Sequence, residues 1–411
     1  MDEILKKFKQ HALLINKKGG RLYVVGGAVR DFVMRRPVHD VDLCVTGLTV
    51  KQFLAIFPTA RLQGKQFPVF VVDDAEIAFA RTEKKTGVGH AGFEINANPG
   101  ITIELDLLRR DVTFNAMAID ILTGELIDPY GGTDDIVDKM VRPTSAAFLE
   151  DPVRALRAAR LAAEFDFKTT SRIHKYIFQL KSEIPTINEN LKFKEFKRAM
   201  EGKAPWAFFE TLKAANVLDV AFPELSALDG MQQLNHHDGD AWEHTMAVLK
   251  TCCILSSSLY DRVAALYHDT GKGNTPEDVL PHHNGHELRS CDIIEGLTWM
   301  PKDLRKYAKA VAFDHMRAHK YADMKRGSKV NMLLRINKTC RGLEGFSSVV
   351  YADRPTDETL SNLTTMIEDL HVITSISGKD MPEDTPKGEA FGLALHERRC
   401  KALGLRRLNA L

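Results

Sequence analysis

RLYVVGGAVRDFVMRRPVHDVDLCV, residues 21–45, is the stretch that decides both the fold and the chemistry of this chain. Its first apolar segment ends at Gly26-Gly27, a helix-like segment follows, and a second apolar segment carries Asp40 and Asp42. Side chains two residues apart in a strand lie on the same face. If the second segment is a strand, both carboxylates point at one place, and we expect them to form the centre of a site.

These residue types meet the needs of a metal ion and a phosphate. Mg²⁺ prefers oxygen ligands and is usually held by one or two carboxylates together with substrate phosphates, which makes Asp40 and Asp42 the predicted catalytic pair. Gly26 and Gly27 have no Cβ, so a phosphate can approach the backbone, and Arg30 follows with its planar guanidinium. An isolated Asp-x-Asp or Gly-Gly is most often only a turn, but their combination in strand–helix–strand order predicts nucleotidyl transfer.

Composition places few limits on the partners of the chain. Its 411 residues suggest roughly two to four domains, and 44% hydrophobic and 27% charged residues are ordinary for a soluble protein. The net charge of +1 gives no sign of nucleic-acid binding, so RNA contacts must come from local basic patches at 30–36 and 154–160. Six cysteines without CxxC pairs, and no apolar run of membrane-spanning length, lead us to expect a soluble cytoplasmic protein.

Hydrophobic periodicity divides the chain into two fold classes. Up to about residue 130, short alternating segments such as EIAFAR (76–81) predict strands between helices, which gives an α/β head with a mixed sheet. From about residue 134, apolar residues recur at helical spacing, so the remainder is predicted to be all-α. The first 20 residues predict one helix that ends at Gly19-Gly20.

Two further motifs concentrate charge. RRDVTFNA, residues 109–116, is predicted to open a helix; its arginines suit a triphosphate, and the carboxylate of Asp111 suits a ribose hydroxyl. EDPVRALRAAR, residues 150–160, repeats charged residues at intervals of three: Asp151, Arg154, Arg157 and Arg160. Residues at this interval form one stripe along a helix. Taken alone, the second motif is more typical of helix charges that face solvent.

GGAVRD followed by DVD, together with RRDVTFNA and EDPVRALR, resembles the class II tRNA nucleotidyltransferases, the CCA-adding enzymes, and their relatives the bacterial poly(A) polymerases. The resemblance implies transfer of C, C and A from CTP and ATP to the 3′ end of tRNA, with Mg²⁺ and no protein nucleophile. The implied nucleotide-binding residues are Gly27, Arg30, Arg110, Asp111, Asp151, Arg154, Arg157 and Arg160. Among them Arg110 would contact the nucleotide, and Asp111 the sugar, which favours ribonucleotides.

The same resemblance implies that protein side chains act as the template. Asp151 would accept a hydrogen bond from the exocyclic amino group of cytosine or adenine, and Arg154 would donate to the neighbouring ring nitrogen. Guanine and uracil would leave these polar groups unpaired, which is an effective way to reject them. Arg157 and Arg160 would lie further along, towards the triphosphate.

Four further segments extend or weaken the resemblance. The loop at 81–93 resembles the one implicated in switching from C to A addition, and GxxxPVF at 64–70 resembles a feature of the enterobacterial type. Glu76 is a candidate third carboxylate near the metal. By contrast, the ERxxxE signature expected near 190–197 lacks its opening Glu-Arg pair, where the chain reads Asn-Leu.

Nine of the fifteen histidines fall between residues 236 and 319, and the order H…HD with HDTGKG resembles the HD phosphohydrolase superfamily. That resemblance implies metal-dependent phosphatase and 2′,3′-cyclic phosphodiesterase activities, which suit 3′-end repair. The implied ligands of a transition metal such as Ni²⁺, Mn²⁺ or Co²⁺ are His244, His268, Asp269, His286 and His315. The distal His-Asp pair of that family departs here because Met316 follows His315. Two alternatives follow: Asp314 substitutes for the missing aspartate, or the site is damaged and the domain is only structural.

These resemblances predict four parts and leave several alternatives. The parts are a nucleotidyltransferase head (1–140), a helical nucleotide-selecting neck and body (141–225), an HD phosphohydrolase-like domain (226–342) and a helical tail that contacts tRNA (343–411). We expect a monomer or a homodimer. An A-adding enzyme and a poly(A) polymerase are alternatives of the same class, although the chain lacks the long basic tail of the latter. The alternative of another class is a tRNA-binding HD phosphohydrolase with an inactive transferase half.

Overall fold

The residues that the computed structural model describes are 1–63, 69–85, 93–233, 239–385 and 387–409. The chain forms two compact units, Met1–Ala221 and Phe222–Leu411. The first begins with a mixed sheet and helices and the second is helical, so the predicted α/β head and all-α remainder are confirmed. The finer division into four parts stays a prediction. Within the described residues, no helix has both the length and the apolar character needed to cross a membrane.

A mixed sheet forms the centre of the head. The strands of the first unit are β1 (Arg21–Val25), β2 (Asp42–Thr46), β3 (Arg61–Gln63), β4 (Val69–Val72), β5 (Ala75–Phe79), β6 (Thr82–Lys85), β7 (Phe93–Asn96), β8 (Ala118–Asp120), β9 (Leu126–Ile127), β10 (Met140–Val141) and β11 (Lys168–Thr169). Seven of them form one sheet in the order β3-β4-β5-β2-β1-β8-β9. β2 lies between antiparallel β1 and parallel β5, which makes the sheet mixed. β6–β7 and β10–β11 form separate pairs.

The strand predicted to hold both aspartates holds only one of them. β2 begins at Asp42, which pairs with Val25, the last residue of β1. Gly26 then turns the chain with a φ of +70°, so β1 offers no backbone partner to the residues before Asp42. Asp40 therefore lies in the irregular segment that leads into β2, and the argument from a shared strand face does not apply to it.

Helices complete the first unit. In chain order they are α1 (Asp2–Asn16), α2 (Gly27–Val33), α3 (Val50–Ile56), α4 (Ile103–Leu108), α5 (Gly132–Val137), α6 (Val153–Phe165), α7 (Ser171–Gln179), α8 (Glu189–Met200), α9 (Pro205–Ala214) and α10 (Leu218–Ala221). Short 3-10 turns lie at Thr113–Asn115, Ala146–Glu150 and Ile184–Thr186. The helix predicted for the first 20 residues is α1.

The RRDVTFNA segment follows a helix instead of opening one, contrary to the prediction. α4 ends at Leu108, and Arg109 is its C-cap residue. Val112 is extended and forms an isolated bridge with Pro143, and Ala118 begins strand β8. Val112 is β-branched, which favours its extended backbone, and the 3-10 turn at Thr113–Asn115 follows it. The two arginines therefore lie at the C-terminal end of α4, where the helix dipole favours cations.

Helix α6, which carries the charged stripe, lies in the core of the first unit. It packs against α8 and α9, and small side chains allow this close approach. The fully buried small residues are Ala155, Ala158, Ala159, Ala162 and Ala163. Asp151 precedes the helix, which ends where Asp166 adopts a left-handed backbone with a φ of +60°. Because α6 is an interior helix, its arginines cannot all face solvent.

The second unit is helical throughout its described residues. Its helices are α11 (Pro223–Ser226), α12 (Ala241–Leu255), α13 (Leu259–Tyr267), α14 (His286–Gly296), α15 (Lys302–His319), α16 (Arg326–Asn337), α17 (Gly342–Asp353), α18 (Asp357–Ser375) and α19 (Glu389–Asn409). Short 3-10 turns lie at Thr270–Lys272, Glu277–Val279, Tyr321–Asp323 and Gly378–Asp380. Helices α12 to α15 and α17 pack on one another, and they carry the histidines singled out in the sequence.

Candidate functional site

A cleft of ≈ 770 Å³ in the first unit collects residues from all three charged motifs. The predicted transferase residues that line it are Gly27, Arg30, Asp40, Asp42, Arg110, Asp111, Asp151, Arg154, Arg157 and Arg160. These residues come from segments far apart in the chain, and the fold brings all of them to one place. Their individual roles stay predictions, but their common location is a finding.

Asp40 and Asp42 present the exposed negative charge of this cleft. Neither carboxylate has a hydrogen bond or ion pair with the residues that the structure describes. Glu76 on β5 is in register with Asp42, and both line an adjoining pocket of ≈ 210 Å³. Acidic groups that are uncompensated and face a cleft fit a divalent cation whose other ligands are substrate phosphates. Among the described residues of the head, however, no three carboxylates bring donor atoms within 4.8 Å of one another.

Gly26 is required by the backbone and by its neighbour. Its φ of +70° lies in the left-handed region that favours glycine. A Cβ at this position would lie 2.7 Å from Nη1 of Arg110, so any other residue would displace that guanidinium. At Gly27 a Cβ would lie 3.5 Å from Arg30, which is ordinary contact. The first glycine therefore keeps the arginine close to the β1–α2 turn.

A buried hydrogen-bond network connects the three charged motifs. Asp111 accepts from the Val112 amide at 2.9 Å and from Nδ2 of Asn115 at 3.1 Å through Oδ1, and from Nε of Arg157 at 2.9 Å through Oδ2. Asn115 in turn accepts from Nη1 of Arg30 at 2.8 Å. Arg30 also bonds Asp31 and lies over the ring of Phe165. Sequence analysis did not single out Asn115, although it belongs to the RRDVTFNA motif.

Burial and charge define the protonation of this network. Burial alone would raise the pKa of Asp111, but Arg157 and Asn115 hold it well below its ordinary value. The same carboxylate raises the pKa of Arg157. Both groups are therefore charged at neutral pH and bonded to each other. A carboxylate has about four lone-pair sites, so Asp111 keeps capacity for one more donor such as a ribose hydroxyl.

The two proposed template residues lie at the start of α6. Asp151 accepts from the amide of Val153, the first residue of α6, at 2.9 Å through Oδ1. Arg154 is mostly buried, and its Nη1 donates to the Ala147 carbonyl at 2.6 Å. Both side chains line the cleft, so a ligand base can reach them there.

Arg160 is a buried structural residue in this conformation. It is 2% exposed, and its guanidinium donates to Glu195 at 2.9 Å and to Glu164 at 2.5 Å. Glu195, on α8, is the closing glutamate of the ERxxxE-like segment, so α8 is fixed to α6 even though the opening Glu-Arg pair is missing. Arg160 also lines the cleft, and its expected place towards the triphosphate stays a prediction.

The segments linked to switching from C to A addition lie partly outside the described residues. Of the loop at 81–93, residues 86–92 are outside them, and β6 and β7 lead into and out of this gap. Of the GxxxPVF segment, residues 64–68 are outside them as well. The predictions made for both segments therefore stay predictions.

The second unit gathers histidine and acidic side chains from five helical segments. Donor atoms of His244, His268, Asp269 and Asp353 lie within 4.8 Å of one another, and so do those of Asp269, His286 and His315. All five predicted ligands of the second half therefore meet, and they meet around Asp269. Its Oδ2 lies 3.3 Å from Nε2 of His268, whereas its Oδ1 lies 3.0 Å from Nε2 of His286.

Backbone carbonyls orient three of these imidazoles. Nδ1 of His268 donates to Ala265 at 2.8 Å, that of His286 to His283 at 3.0 Å, and that of His315 to Ala312 at 2.8 Å. A carbonyl can only accept, so Nδ1 carries the proton in each ring and Nε2 can present a lone pair. A histidine that ligates a metal typically has its other nitrogen fixed in this way.

Electrostatics inside the cluster favour a bound cation. Nε2 of His268 and Oδ1 of Asp269 are buried and make no hydrogen bond with the described residues. Burial alone would lower the pKa of His268, but without a bound cation Asp269 and Asp353 raise it to about 10. Nε2 then carries a proton, which a metal bound at this nitrogen would replace. Burial alone would raise the pKa of Asp353, but His244, His268 and His319 hold it well below its ordinary value. Converging nitrogen and carboxylate donors of this kind suit a divalent transition metal.

Asp353, and not Asp314, lies among the donor atoms of the cluster, so the geometry does not support a substitution by Asp314. Asp314 is fully buried and binds Arg335 through both carboxylate oxygens, at 2.7 and 2.8 Å, as well as Arg317 at 3.2 Å. Asp353, the last residue of α17, bonds Nε2 of His244 at 3.0 Å. The spacing of residues around His315 could not predict a contact with Asp353, because Asp353 is distant in the sequence.

Three more histidines of this region lie within the described residues: His319 and His283, whose ring nitrogens are hydrogen-bonded, and the exposed His282. His319 donates from Nε2 to Asp353 at 2.6 Å and so orients that carboxylate. His283 uses both ring nitrogens, with Thr275 at 2.7 Å and the Gln232 carbonyl at 2.8 Å. His282 is exposed at the rim of the pocket that contains the cluster.

Comparisons with known proteins agree with this geometry. A family model for the poly A polymerase head domain matches residues 22–142. The chain is 37% identical to the multifunctional CCA protein of Thioalkalivibrio sulfidiphilus, over 93% of this chain and 98% of the relative. It is 36% identical to that of Nitrosococcus oceani, over 93% of this chain and 97% of the relative.

Solved structures share the fold. A CCA-adding enzyme in complex with ATP superposes with a TM-score of 0.65 at 17% identity, over 98% of this chain and 90% of that one. The Thermotoga maritima CCA-adding enzyme complexed with tRNA gives a TM-score of 0.63 at 16% identity, over 98% and 91%. At these identities the likeness concerns the architecture alone.

The ion pair between Arg160 and Glu195 gives a test of the first unit. Glu195→Gln should lower the free energy of unfolding by about 3 kcal/mol, because a buried ion pair loses one partner. Glu201→Gln on the same helix is the control, since its 3.8 Å pair with Lys197 is half-exposed. The control should change stability by less than about 1 kcal/mol. Urea denaturation at pH 7 measures both, and equal effects would contradict the role assigned to Glu195.

Proposed function

The chain belongs to the multifunctional CCA protein family, and from this premise we propose that it adds C-C-A to the 3′ end of tRNA from CTP and ATP. The enzyme class, a tRNA nucleotidyltransferase, follows from the family. The observation that carries the proposal is the single cleft lined by every predicted nucleotide-binding residue. CCA-adding enzymes of the same fold bind ATP and tRNA, which supports these partners.

In the proposed reaction the tRNA 3′-hydroxyl attacks the α-phosphorus of the nucleotide in line, and pyrophosphate leaves. Bound Mg²⁺ ions would lower the pKa of the hydroxyl and neutralise charge on the pyrophosphate. Asp40 and Asp42 would hold them, with Glu76 beside Asp42 as a third carboxylate. Arg109 and Arg110 supply cationic charge for the triphosphate.

We assign base selection to Asp151 and Arg154. The carboxylate accepts from the amino group of cytosine or adenine, and the guanidinium donates to the adjacent ring nitrogen. Guanine and uracil would leave these groups unpaired inside the protein, which makes rejection effective. Asp111 would accept from the ribose 2′-hydroxyl. The network through Asn115 and Arg157 would keep this carboxylate in place.

The alternatives differ in their products. An A-adding enzyme would stop after one A, a poly(A) polymerase would extend without a stop, and an inactive transferase half would add nothing. Exposed aspartates that face the cleft favour an active transferase half. Six free cysteines fit a reducing compartment, and we propose a cytoplasmic location for a monomer or homodimer. The tail, which includes α19, is proposed to contact tRNA.

Incubation with tRNA that ends at the discriminator base tests the transferase proposal. With CTP, ATP and Mg²⁺, the protein should add C, C and A and then stop, as read by gel electrophoresis and sequencing of the product. Asp40→Ala and Asp42→Ala should abolish incorporation without changing the circular dichroism spectrum, because both side chains are exposed. A product with only A, long A runs or no added nucleotide would select one of the alternatives.

Arg154→Ala tests the assignment of base selection. The variant should accept GTP and UTP more readily relative to CTP and ATP, because the ring-nitrogen contact that discriminates the bases is gone. Ratios of kcat/KM for the four nucleotides measure this, and relative selectivity should fall by about tenfold. An equal loss of kcat/KM with all four nucleotides would show that Arg154 does not choose the base.

We further propose that the second unit is an HD-type phosphohydrolase acting on RNA 3′ ends that bear a phosphate or a 2′,3′-cyclic phosphate. The residues that would hold the metal are His244, His268, Asp269, His286, His315 and Asp353. A bound metal would activate water as the nucleophile. Asp269 faces donors on two sides through its two oxygens, so it would be the shared ligand of the cluster. Ni²⁺, Mn²⁺ or Co²⁺ suits this donor set.

Two buried aspartates separate a ligand from a structural residue in the second unit. Asp353→Asn should lower Mn²⁺ affinity about tenfold or more and abolish release of p-nitrophenol from bis(p-nitrophenyl) phosphate, as should His268→Ala. Asp314→Asn is the control, because this carboxylate binds Arg335 and Arg317 away from the cluster. It should lower stability yet retain hydrolysis. A parent protein inactive with all three metals would contradict the hydrolase, and loss only with Asp314→Asn would reinstate that residue as the ligand.

A further inference from the structure

Asp106 is a fully buried carboxylate at the edge of the proposed transferase site, and it lies outside the three charged motifs of the first unit. It lies on α4, three and four residues before Arg109 and Arg110. Thr102 caps the start of this helix. We propose that Asp106 is a positioning residue, an inference that rests on the proposed function. It holds Arg109 and Arg110 in one arrangement, here called the arginine clamp, that binds the triphosphate of the nucleotide.

The two oxygens of Asp106 are divided between the two arginines. Oδ1 accepts from Nε and Nη2 of Arg109 at 3.0 and 2.7 Å, and Oδ2 accepts from Nη2 of Arg110 at 3.2 Å. Oδ1 also accepts from the backbone amide of Arg81 at 3.2 Å. The carboxylate therefore connects α4 to the chain that leaves β5, the strand of Glu76.

The remaining contacts of Arg110 leave it prepared for an anion. Its Nη1 lies where a Cβ on Gly26 would stand, next to the turn between β1 and α2. Its Nε is buried and makes no hydrogen bond with the described residues, and its side chain is 20% exposed to the cleft. The guanidinium is held through Nη2, so its exposed N–H groups stay available for a phosphate.

A carboxylate near a triphosphate site needs a reason, because it repels the ligand. Burial alone would raise the pKa of Asp106, but Arg110 and Arg109 hold it below its ordinary value, so the group is charged at neutral pH. Its negative charge faces the arginines and not the solvent, since its side chain is 1% exposed. Asp106 holds the long side chains of Arg109 and Arg110 in a single arrangement before the nucleotide binds, which lowers the entropy cost of binding.

This role has a kinetic signature that a purely structural role lacks. Arginines held for the triphosphate act equally on CTP and ATP, because both nucleotides carry the same phosphates. Loss of the clamp should therefore raise KM for both nucleotides alike and leave discrimination against GTP and UTP unchanged. Arg154, by contrast, is assigned to the base.

Asp106→Asn is the first experiment. It should raise KM for CTP and for ATP by about tenfold, with a smaller effect on kcat, because misplaced binding groups weaken productive contact. Asp135→Asn is the matched control: Asp135 is equally buried, accepts from Arg142 at 3.0 Å and from Thr113, and does not line the cleft. The control should lower the melting temperature but leave KM unchanged. Unchanged KM in a folded Asp106→Asn variant would overturn the proposal.

A double-mutant cycle shows whether Asp106 acts through Arg110. In an Arg110→Gln background, adding Asp106→Asn should raise KM by much less than in the wild type, because the residue to be positioned is already lost. Additive effects would mean that Asp106 acts elsewhere and would overturn the proposal. If Asp106→Asn does not fold, Asp106→Glu keeps the buried charge but shifts the arginines, and a KM equal to the wild type would also overturn it.

Binding of CTP without tRNA, measured by calorimetry with Mg²⁺ present, keeps this proposal separate from the proposed function. A parent protein that binds CTP but adds nothing to tRNA would contradict the transferase function and still allow the clamp to be tested. Under that outcome, a Kd for CTP about tenfold higher in Asp106→Asn than in Asp135→Asn supports the clamp. Equal Kd values in the two variants overturn it.

Discussion

The ion pair between Asp111 and Arg157 is the interaction on which the first site depends. It joins the segment after α4 to helix α6, and Asn115 extends it to Arg30 on α2. A buried carboxylate is stable only when donors and cations replace its water, and this one has an amide, a carboxamide and a guanidinium. The three motifs of the first half therefore form one hydrogen-bonded structure.

The two candidate sites differ in how their clustered charges are compensated. In the first unit, arginines and acidic groups meet in an open cleft, and Asp40 and Asp42 stay exposed to whatever enters it. In the second unit, histidines and acids are buried together, so their charges must compensate one another or be met by a cation. The pKa of His268 is raised and the pKa of Asp269 is lowered because each stabilises the charge of the other.

Charged residues of the same type within one motif have different contacts in the structure. The sequence predicts one charged stripe along α6, yet Arg160 is a buried partner of Glu195, Arg157 holds Asp111, and Arg154 reaches the cleft near the helix start. α6 packs on α8 and α9, so positions one turn apart meet different neighbours. Periodicity identifies the face of a helix but not which of its residues the next helix will cover.

The sequence by itself determined the mixed sheet, the helical remainder, the glycine turn and the residue types of both sites, because these follow from local pattern and motif chemistry. The sequence also indicated the five predicted metal ligands of the second unit. Tertiary structure alone decided that β2 starts at Asp42, that α4 ends before Arg109, and that Asp353 lies against His244. Strand ends depend on the neighbouring strand, and a buried carboxylate is bound by whichever cation packs against it, as Arg335 is against Asp314. Such partners are distant in the chain, and no local pattern records them.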